Sequence, residues 1–396
     1  MSAVILLKLI CLSSLGLVAY CYAAYPLLVS LCARLIGRRD VDDAPSPAPE
    51  QWPFVSLIIA AYKEERTILA RVQNALQMDY PADRLEVLIG CDGHEDATGE
   101  LVQTVQDSRI RLLQFPQRRG KPSVLNDCVA SSQGEILAFS DANTFYEPDA
   151  LKRMVRHYQR PNVGGVVGEL ELIDPHTGAN VDGLYWRYEN FLKNSEGRLG
   201  ALLGANGAIY SLRRELWQPL APETIVDDFV AGMRVHLADR ELVFEPEAVA
   251  EEESAPTMRA EFQRRARLGA GAFQSLNWLS PLLNPARGAV AWAFWSHKVL
   301  RWFTPLFLAA ALVTNVGLAR EPGFGWLFAV QLIVYSAAVL GMWVPARRVV
   351  GRMLRLATMF CSMNAAITVG FWRWLRGEPV RGVGADGAWR KWNELR

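Results

Sequence analysis

Hydrophobic and polar positions divide the chain into three regions. From Val4 to Ile36 the residues are almost wholly apolar, broken by Lys8 and Arg34. That length exceeds the roughly 20 apolar residues a bilayer span needs. It also exceeds a signal-peptide apolar core, and no small-residue cleavage site followed by polar sequence precedes RLIGRRD, so the segment reads as a retained anchor over residues 1–39. An acidic, proline-rich linker follows at 40–53. Short apolar runs then alternate with helical patterns over 54–276. FVSLIIAAY, LEVLIGCDG, RIRLLQF and GEILAFSDAN read as strands, and ERTILARVQNALQM and GELVQTVQ as helices between them. The alternation predicts an α/β domain with a mostly parallel sheet covered by helices.

The last third is apolar again. Residues 277–298 mix Trp, Arg and Lys with apolar side chains and read as an interfacial helix. Spans are expected at Val299–Ala319, Phe324–Val344 and Leu356–Trp374, within a membrane region 299–376 that ends in a basic tail, 377–396. Arg34, Arg38 and Arg39 put residue 40 onward in the cytoplasm by the positive-inside rule, at a bacterial inner membrane. Two expectations then conflict. One anchor plus three spans carries the C-terminus outside, whereas Arg373, Arg376, Arg381, Arg390, Lys391 and Arg396 favour the cytoplasm.

Composition narrows the function classes. The net charge of +1 spreads over 42 basic and 41 acidic residues, with no basic domain of the kind a nucleic-acid binder shows. The six cysteines form no CxxC or Cys/His spacing, so neither a zinc site nor a disulfide framework is expected. GxGxxG after a strand and GxxxxGK[ST] are both missing, which removes support for dinucleotide and P-loop readings.

Three apolar runs end on carboxylates: LIIAAYKEE at Glu64 and Glu65, VLIGCDGHED at Asp92 and Asp96, and ILAFSDANT at Asp141. Parallel strands bring these ends to one sheet edge, where ligands of such folds bind. Clustered carboxylates repel unless a cation or polar ligand compensates, and Mg²⁺ or Mn²⁺ bound to a diphosphate would do so. A strand followed by a polar turn is the plainer reading of each run. QRRGKP places Arg118, Arg119 and Lys121 around Gly120, a loop suited to phosphate or a solvated charge run. Asp227 and Asp228 open a helical pattern, as a cap or as a general base. Arg264, Arg265 and Arg267 read as headgroup anchors or diphosphate clamps, and His94 stands beside the Asp92 strand end.

Taken in order, SLIIAAYKEE, LIGCDGHEDAT, RRGKPSVLND, FSDANTFYEPDAL, LGANGAIYSLRREL, VDDF and RRARLGAGAFQSL resemble the membrane-bound family-2 glycosyltransferases, which include hyaluronan, cellulose and chitin synthases. The resemblance covers residues 54–276 and implies a GT-A fold. It implies a nucleotide-sugar site formed by Ala60, Tyr62, Glu64, Asp92, Lys121, Asp141, Arg264 and Arg267, with Asp92 on the base and Lys121 near the phosphates. Asp141 and Asn143 would hold Mg²⁺ or Mn²⁺, Asn206 and Gly207 would border the acceptor, and Asp228, beside Asp227, would be the catalytic base.

The chain departs from the family pattern where Asn143 replaces the second acid of DxD, and where Arg264–Leu268 replaces QxxRW. The implied activity is inverting transfer from a nucleotide-diphosphate sugar, UDP-linked first, to a growing glycan in polysaccharide synthesis, with membrane lipids around the chain and separate export or polymerisation proteins as candidate partners. The alternatives are transfer of one sugar to a polyprenyl phosphate or lipid-linked oligosaccharide, and a non-catalytic nucleotide sensor.

Overall fold

The computed structural model describes residues 3–38, 51–174, 184–254, 258–344 and 349–377. The linker and the basic tail of the sequence reading lie outside these residues, apart from Gln51–Pro53 and Gly377. The chain divides into two compact units. One comprises residues 29–256 and 275–293, with 386–396, and the other 1–28, 257–274 and 294–385.

The first unit is built on one eight-stranded sheet. Its strands are β1 (Val55–Ala61), β2 (Leu85–Asp92), β3 (Ile110–Phe115), β4 (Ile136–Asp141), β5 (Thr144–Tyr146), β6 (Val163–Ile173), β7 (Tyr210–Arg213) and β8 (Glu241–Glu253), in spatial order β3-β2-β1-β4-β7-β6-β8-β5. The four expected strands form the parallel half, β3-β2-β1-β4. The other half is mixed: β7 runs antiparallel to β4 and β6, β8 is parallel to β6, and β5 is antiparallel to β8.

Every residue of β1 is buried, because helices cover both faces. Val55, Leu57, Ile59 and Ala61 join one apolar cluster with Ile68, Val72 and Leu151, while Ile58 and Ala60 join the other with Val124, Leu125 and Val230. The period-2 alternation of a strand thus feeds two cores, which is why these strands read as continuous apolar runs rather than alternating ones. The shared sheet sets the register of the functional edge. Ala60 pairs with Asp141 across β1 and β4, and Ala61 with Cys91 across β1 and β2. The C-terminal ends of all three strands therefore lie side by side.

The second unit holds the apolar helices. Ala3–Ile36 and Val350–Leu375 are each long and apolar enough to cross a membrane. The expected span at 299–319 is instead a pair, Ala289–Trp302 and Thr304–Gly317, bent by 56°. Pro305 in the first turn of the second helix supplies the cause: it has no N–H to donate back, and its ring disfavours a continuous helix. The expected interfacial helix 277–298 is likewise segmented. The helix Met258–Leu279 ends before the short turns Ser280–Leu283 and Pro285–Arg287, each opened by a proline. Phe324–Leu340 is a 17-residue helix, about 26 Å long at 1.5 Å per residue and short of a full hydrocarbon core.

Candidate active site

The site is assembled by three loops and one helix N-terminus at the shared strand edge. After β2, Asp92 is 5% exposed. Its Oδ1 accepts the backbone N–H of Arg119 at 2.6 Å and its Oδ2 that of Gly120 at 2.8 Å. Asp92 therefore holds the basic loop in place, directly ahead of the helix Lys121–Ser131. Both its oxygens are engaged in this way, so its expected base contact would share them with the loop.

The other early acids are spent in a similar manner. Glu65 Oε2 accepts from the N–H of Ala97, and Asp96 accepts from Glu65 N, Thr98 N and the Thr98 hydroxyl. Glu64 is buried and accepts from the Thr67 hydroxyl at 2.7 Å. Of the carboxylates expected at this edge, three are therefore compensated by polar groups of the chain itself. Neighbouring N–H and O–H donors compensate Glu65, Asp92 and Asp96, and no group of three acidic, histidine or cysteine side chains gathers for a metal among the described residues. Tyr62 donates to Glu95 Oε2 at 2.8 Å, and the Arg118 guanidinium lies 4.2 Å from its ring centre. Ala60 is buried inside β1, so only its backbone is available to a ligand. His94 is bonded to Gln114.

The side chains that do converge are Lys121, Asp141, Asp227 and Asp228. Lys121 Nζ donates to Asp141 Oδ1 at 2.6 Å and stands 3.5 Å from Asp227 Oδ2. Burial works against its charge, but the carboxylates of Asp141, Asp227 and Asp228 outweigh it and hold the ammonium above its ordinary pKa. Asp227 and Asp228 form the first turn of the helix Asp227–Leu237, and no side chain caps it. Asp228 Oδ1 accepts the N–H of Phe229 at 2.8 Å. Asp227 Oδ2 is buried and, beyond its ion pair with Lys121, accepts no hydrogen bond among the described residues. One backbone N–H therefore engages one of the four carboxylate oxygens, and the cap reading does not explain the pair.

Gly207 marks the floor where they meet. A Cβ there would sit 3.2 Å from Lys121 Nζ, 3.3 Å from Asp141 Oδ2 and 3.5 Å from Asp228 Oδ2. The loop reaches this position because Asn206 Oδ1 accepts from Ile209 N at 3.0 Å, and because Gly204 adopts φ +76° against the Phe229 ring. Gly204→Ala should cost about 1–3 kcal/mol from left-handed backbone strain, before any clash of its Cβ 2.3 Å from Phe229 Cδ2. A thermal unfolding midpoint equal to that of the wild type would contradict this.

Sequence reasoning missed Tyr210. It sits on β7 with its ring stacked on Phe139 at 4.7 Å, and its buried hydroxyl has no hydrogen-bond partner among the described residues. Burial first, then the charges of Asp227, Asp228 and Asp141, raise its pKa well above the usual phenol value. It stays protonated as an O–H donor beside the acids. Tyr210 lies within LGANGAIYSLRREL, but an aromatic residue in an apolar strand carries no local signal of such a role.

Asp228 is the group with perturbed acidity. Burial and then the adjacent Asp227 charge raise its pKa, with Lys121 opposing, to about 6. A carboxyl group so placed is mainly ionised at neutral pH yet basic enough to take a proton.

Asn143 donates through its amide nitrogen to Glu252 Oε1 at 3.1 Å. Asp141 and the Asn143 carbonyl are hard oxygen donors. They fit Mg²⁺ or Mn²⁺ when a diphosphate supplies most of the remaining ligands, and are too few to hold the ion alone. Arg264 and Arg267 belong to the other unit, on the helix Met258–Leu279, where Arg264 pairs with Glu261 at 3.0 Å.

Comparison with known proteins agrees with this architecture. Residues 56–216 match the model of Glycosyl transferase family 2. A beta-monoglucosyldiacylglycerol synthase of Trichormus variabilis is 26% identical over 316 residues, 75% of this chain and 65% of that protein. The poly-beta-1,6-N-acetyl-D-glucosamine synthase of Staphylococcus epidermidis is 23% identical over 234 residues, 57% of this chain and 56% of that protein. The matches thus span about two thirds or less of these relatives' length. A mannosyltransferase of Pyrobaculum calidifontis, solved with GDP-Man and Mn²⁺, superposes with a TM-score of 0.69 at 22% identity, covering 94% of this chain and 99% of that one. Residues 56–216 of this chain are a family-2 glycosyltransferase domain, carried on a GT-A fold.

Proposed function

We propose that the chain transfers a sugar from a nucleotide-diphosphate donor to an acceptor hydroxyl with inversion at the anomeric carbon. The observation that carries this reading is the meeting of Asp228 Oδ2, Asp141 Oδ2 and Lys121 Nζ at Gly207. Asp228 takes the acceptor proton as the hydroxyl oxygen attacks the anomeric carbon. The bond from that carbon to the diphosphate breaks, and the nucleotide diphosphate leaves with the electron pair. Lys121 stabilises the charge developing on the leaving group. A divalent cation held by Asp141 and the Asn143 carbonyl would supply Lewis-acid stabilisation to the same oxygens. Asp227 keeps Lys121 charged, and the Asp92 carboxylate holds the loop that positions it. Asn206 and Gly207 line the acceptor side in this scheme.

UDP sugars are the first donors to test, with GDP sugars beside them because the archaeal neighbour was solved with GDP-Man. The acceptor is a growing glycan at the membrane. A lipid acceptor is the second reading, favoured by the cyanobacterial relative named for a glucosyldiacylglycerol product. Purified chain incubated with a donor panel, native membranes and Mg²⁺, Mn²⁺ or chelator tests the proposal. Metal-dependent nucleotide diphosphate release from one donor is expected, and organic-soluble or high-mass product separates the acceptors. Nucleotide binding without release from any donor would point to the sensor reading instead.

The acidity of Asp228 adds a pH test. The deprotonated form is the base, so kcat/KM should fall as pH drops through about 6 and stay level above it. A profile flat down to pH about 4, an ordinary carboxyl pKa, would remove Asp228 from the role.

A further inference from the structure

We propose that the C-terminal end of the last helix is a binding site for the phosphate group of an anionic membrane lipid. A cavity of about 350 Å³ is lined, among the described residues, by Val369, Trp372, Arg373 and Arg376. Val369, Trp372 and Arg373 share one face of Val349–Leu375, and Arg376 follows in the turn directly after it. Arg373 Nη1 is buried and has no hydrogen-bond partner among the described residues. The Arg376 guanidinium stands 6.0 Å from the Trp372 ring centre. The guanidinium groups of Arg373 and Arg376, which line the cavity, supply the donors a phosphate oxygen there would need. The planar guanidinium fork matches phosphate geometry. The carbonyl end of the helix carries about half a negative charge and opposes an anion, and two full positive charges outweigh it.

The surroundings favour a lipid over a soluble anion. Trp372 and Leu375 are 52% and 55% exposed beside the cavity, an apolar border that a free phosphate does not use. The helix end also lies at a definite level of its unit. Phe371 and Trp374 both pack on Phe273, which touches Trp302 and Phe303. The neighbouring Arg301 stands over Tyr22, and Tyr22 also meets Phe360. The Lys8–Glu321 ion pair and the cluster of Cys11, Leu318 and Phe324 mark the other end of the anchor helix. Arginines interleaved with Trp, Tyr and Phe at one end of an apolar bundle are the side chains expected at a membrane–water boundary.

The test is independent of sugar transfer. Full-length chain in neutral detergent is titrated with short-chain phosphatidylglycerol, short-chain phosphatidylcholine and inorganic phosphate, with binding read by calorimetry. Saturable phosphatidylglycerol binding is expected, at least about tenfold tighter than phosphatidylcholine. The double variant Arg373→Gln/Arg376→Gln should lose about tenfold or more in affinity, the scale of one charge-assisted hydrogen bond. Equal binding of the two lipids by the wild type overturns the proposal without any variant. Unchanged affinity in the double variant does so as well. Displacement of the lipid by inorganic phosphate at matching concentrations would make this a soluble-anion site and reject the lipid.

Discussion

Asp228→Asn is expected to lower turnover roughly a thousandfold, within the 10²–10⁴-fold that a positioned general base supplies, while donor binding stays near wild type. The substitution keeps the shape of the side chain but removes its charge and, with it, its ability to accept a proton. The stability effect separates this from damage to the fold. Burial and the neighbouring Asp227 charge raise the Asp228 pKa to about 6. The folded state therefore holds the proton more tightly than the unfolded chain between an ordinary carboxyl pKa and about 6. By linkage, the ionised group destabilises the fold progressively as pH rises through that window, and the cost is fully present at pH 7. Removing the charge should leave the unfolding midpoint at pH 7 equal to the wild type or higher. An inactive variant of undiminished stability is the signature of a strained functional group. Near-normal turnover would remove Asp228 from the base role. Lost turnover with a lowered midpoint at pH 7 would assign the residue to structure.

The site and the fold differ in how far the sequence discloses them. The strands β1, β2, β3 and β4 stand out as apolar runs because helices cover both faces, and their parallel order brings Ala60, Cys91 and Asp141 to one edge. The other half of the sheet is harder to read. β8 contains ELVFEPEAVAEEE and shifts register against β6 between Gly168 and Glu169, so neither an apolar run nor clean alternation marks it. The acids were visible, but their division of labour was not. Identical carboxylates at identical strand ends become loop anchors at Asp92 and Asp96 and a Lys121 partner at Asp141. Only the positions of N–H donors, set by the fold, distinguish them. Proline positions did announce the breaks in the apolar third. Pro281, Pro285 and Pro305 each open a helical segment, whereas hydropathy alone joins those segments into longer helices.

Asp141→Ala is expected to reduce donor turnover by at least about a hundredfold, the scale of losing one preorganised charge-stabilising contact at a leaving group. Its effect should differ in kind from that of Asp228→Asn. Asp141 Oδ1 holds Lys121 Nζ at 2.6 Å, whereas Asp227 lies 3.5 Å away. Without Asp141 the ammonium keeps a partner and its charge but loses the contact that fixes its direction. A bound metal would lose its one carboxylate and keep only the neutral carbonyl of Asn143, whose amide nitrogen donates to Glu252. The variant should therefore need far more Mg²⁺ or Mn²⁺ for half-maximal nucleotide diphosphate release and should bind the donor more weakly. Asp228→Asn should change neither quantity. Measuring release against metal concentration for both variants separates the roles. An unchanged metal requirement in Asp141→Ala, even with slow turnover, would move the metal site elsewhere and leave Asp141 as the residue that orients Lys121.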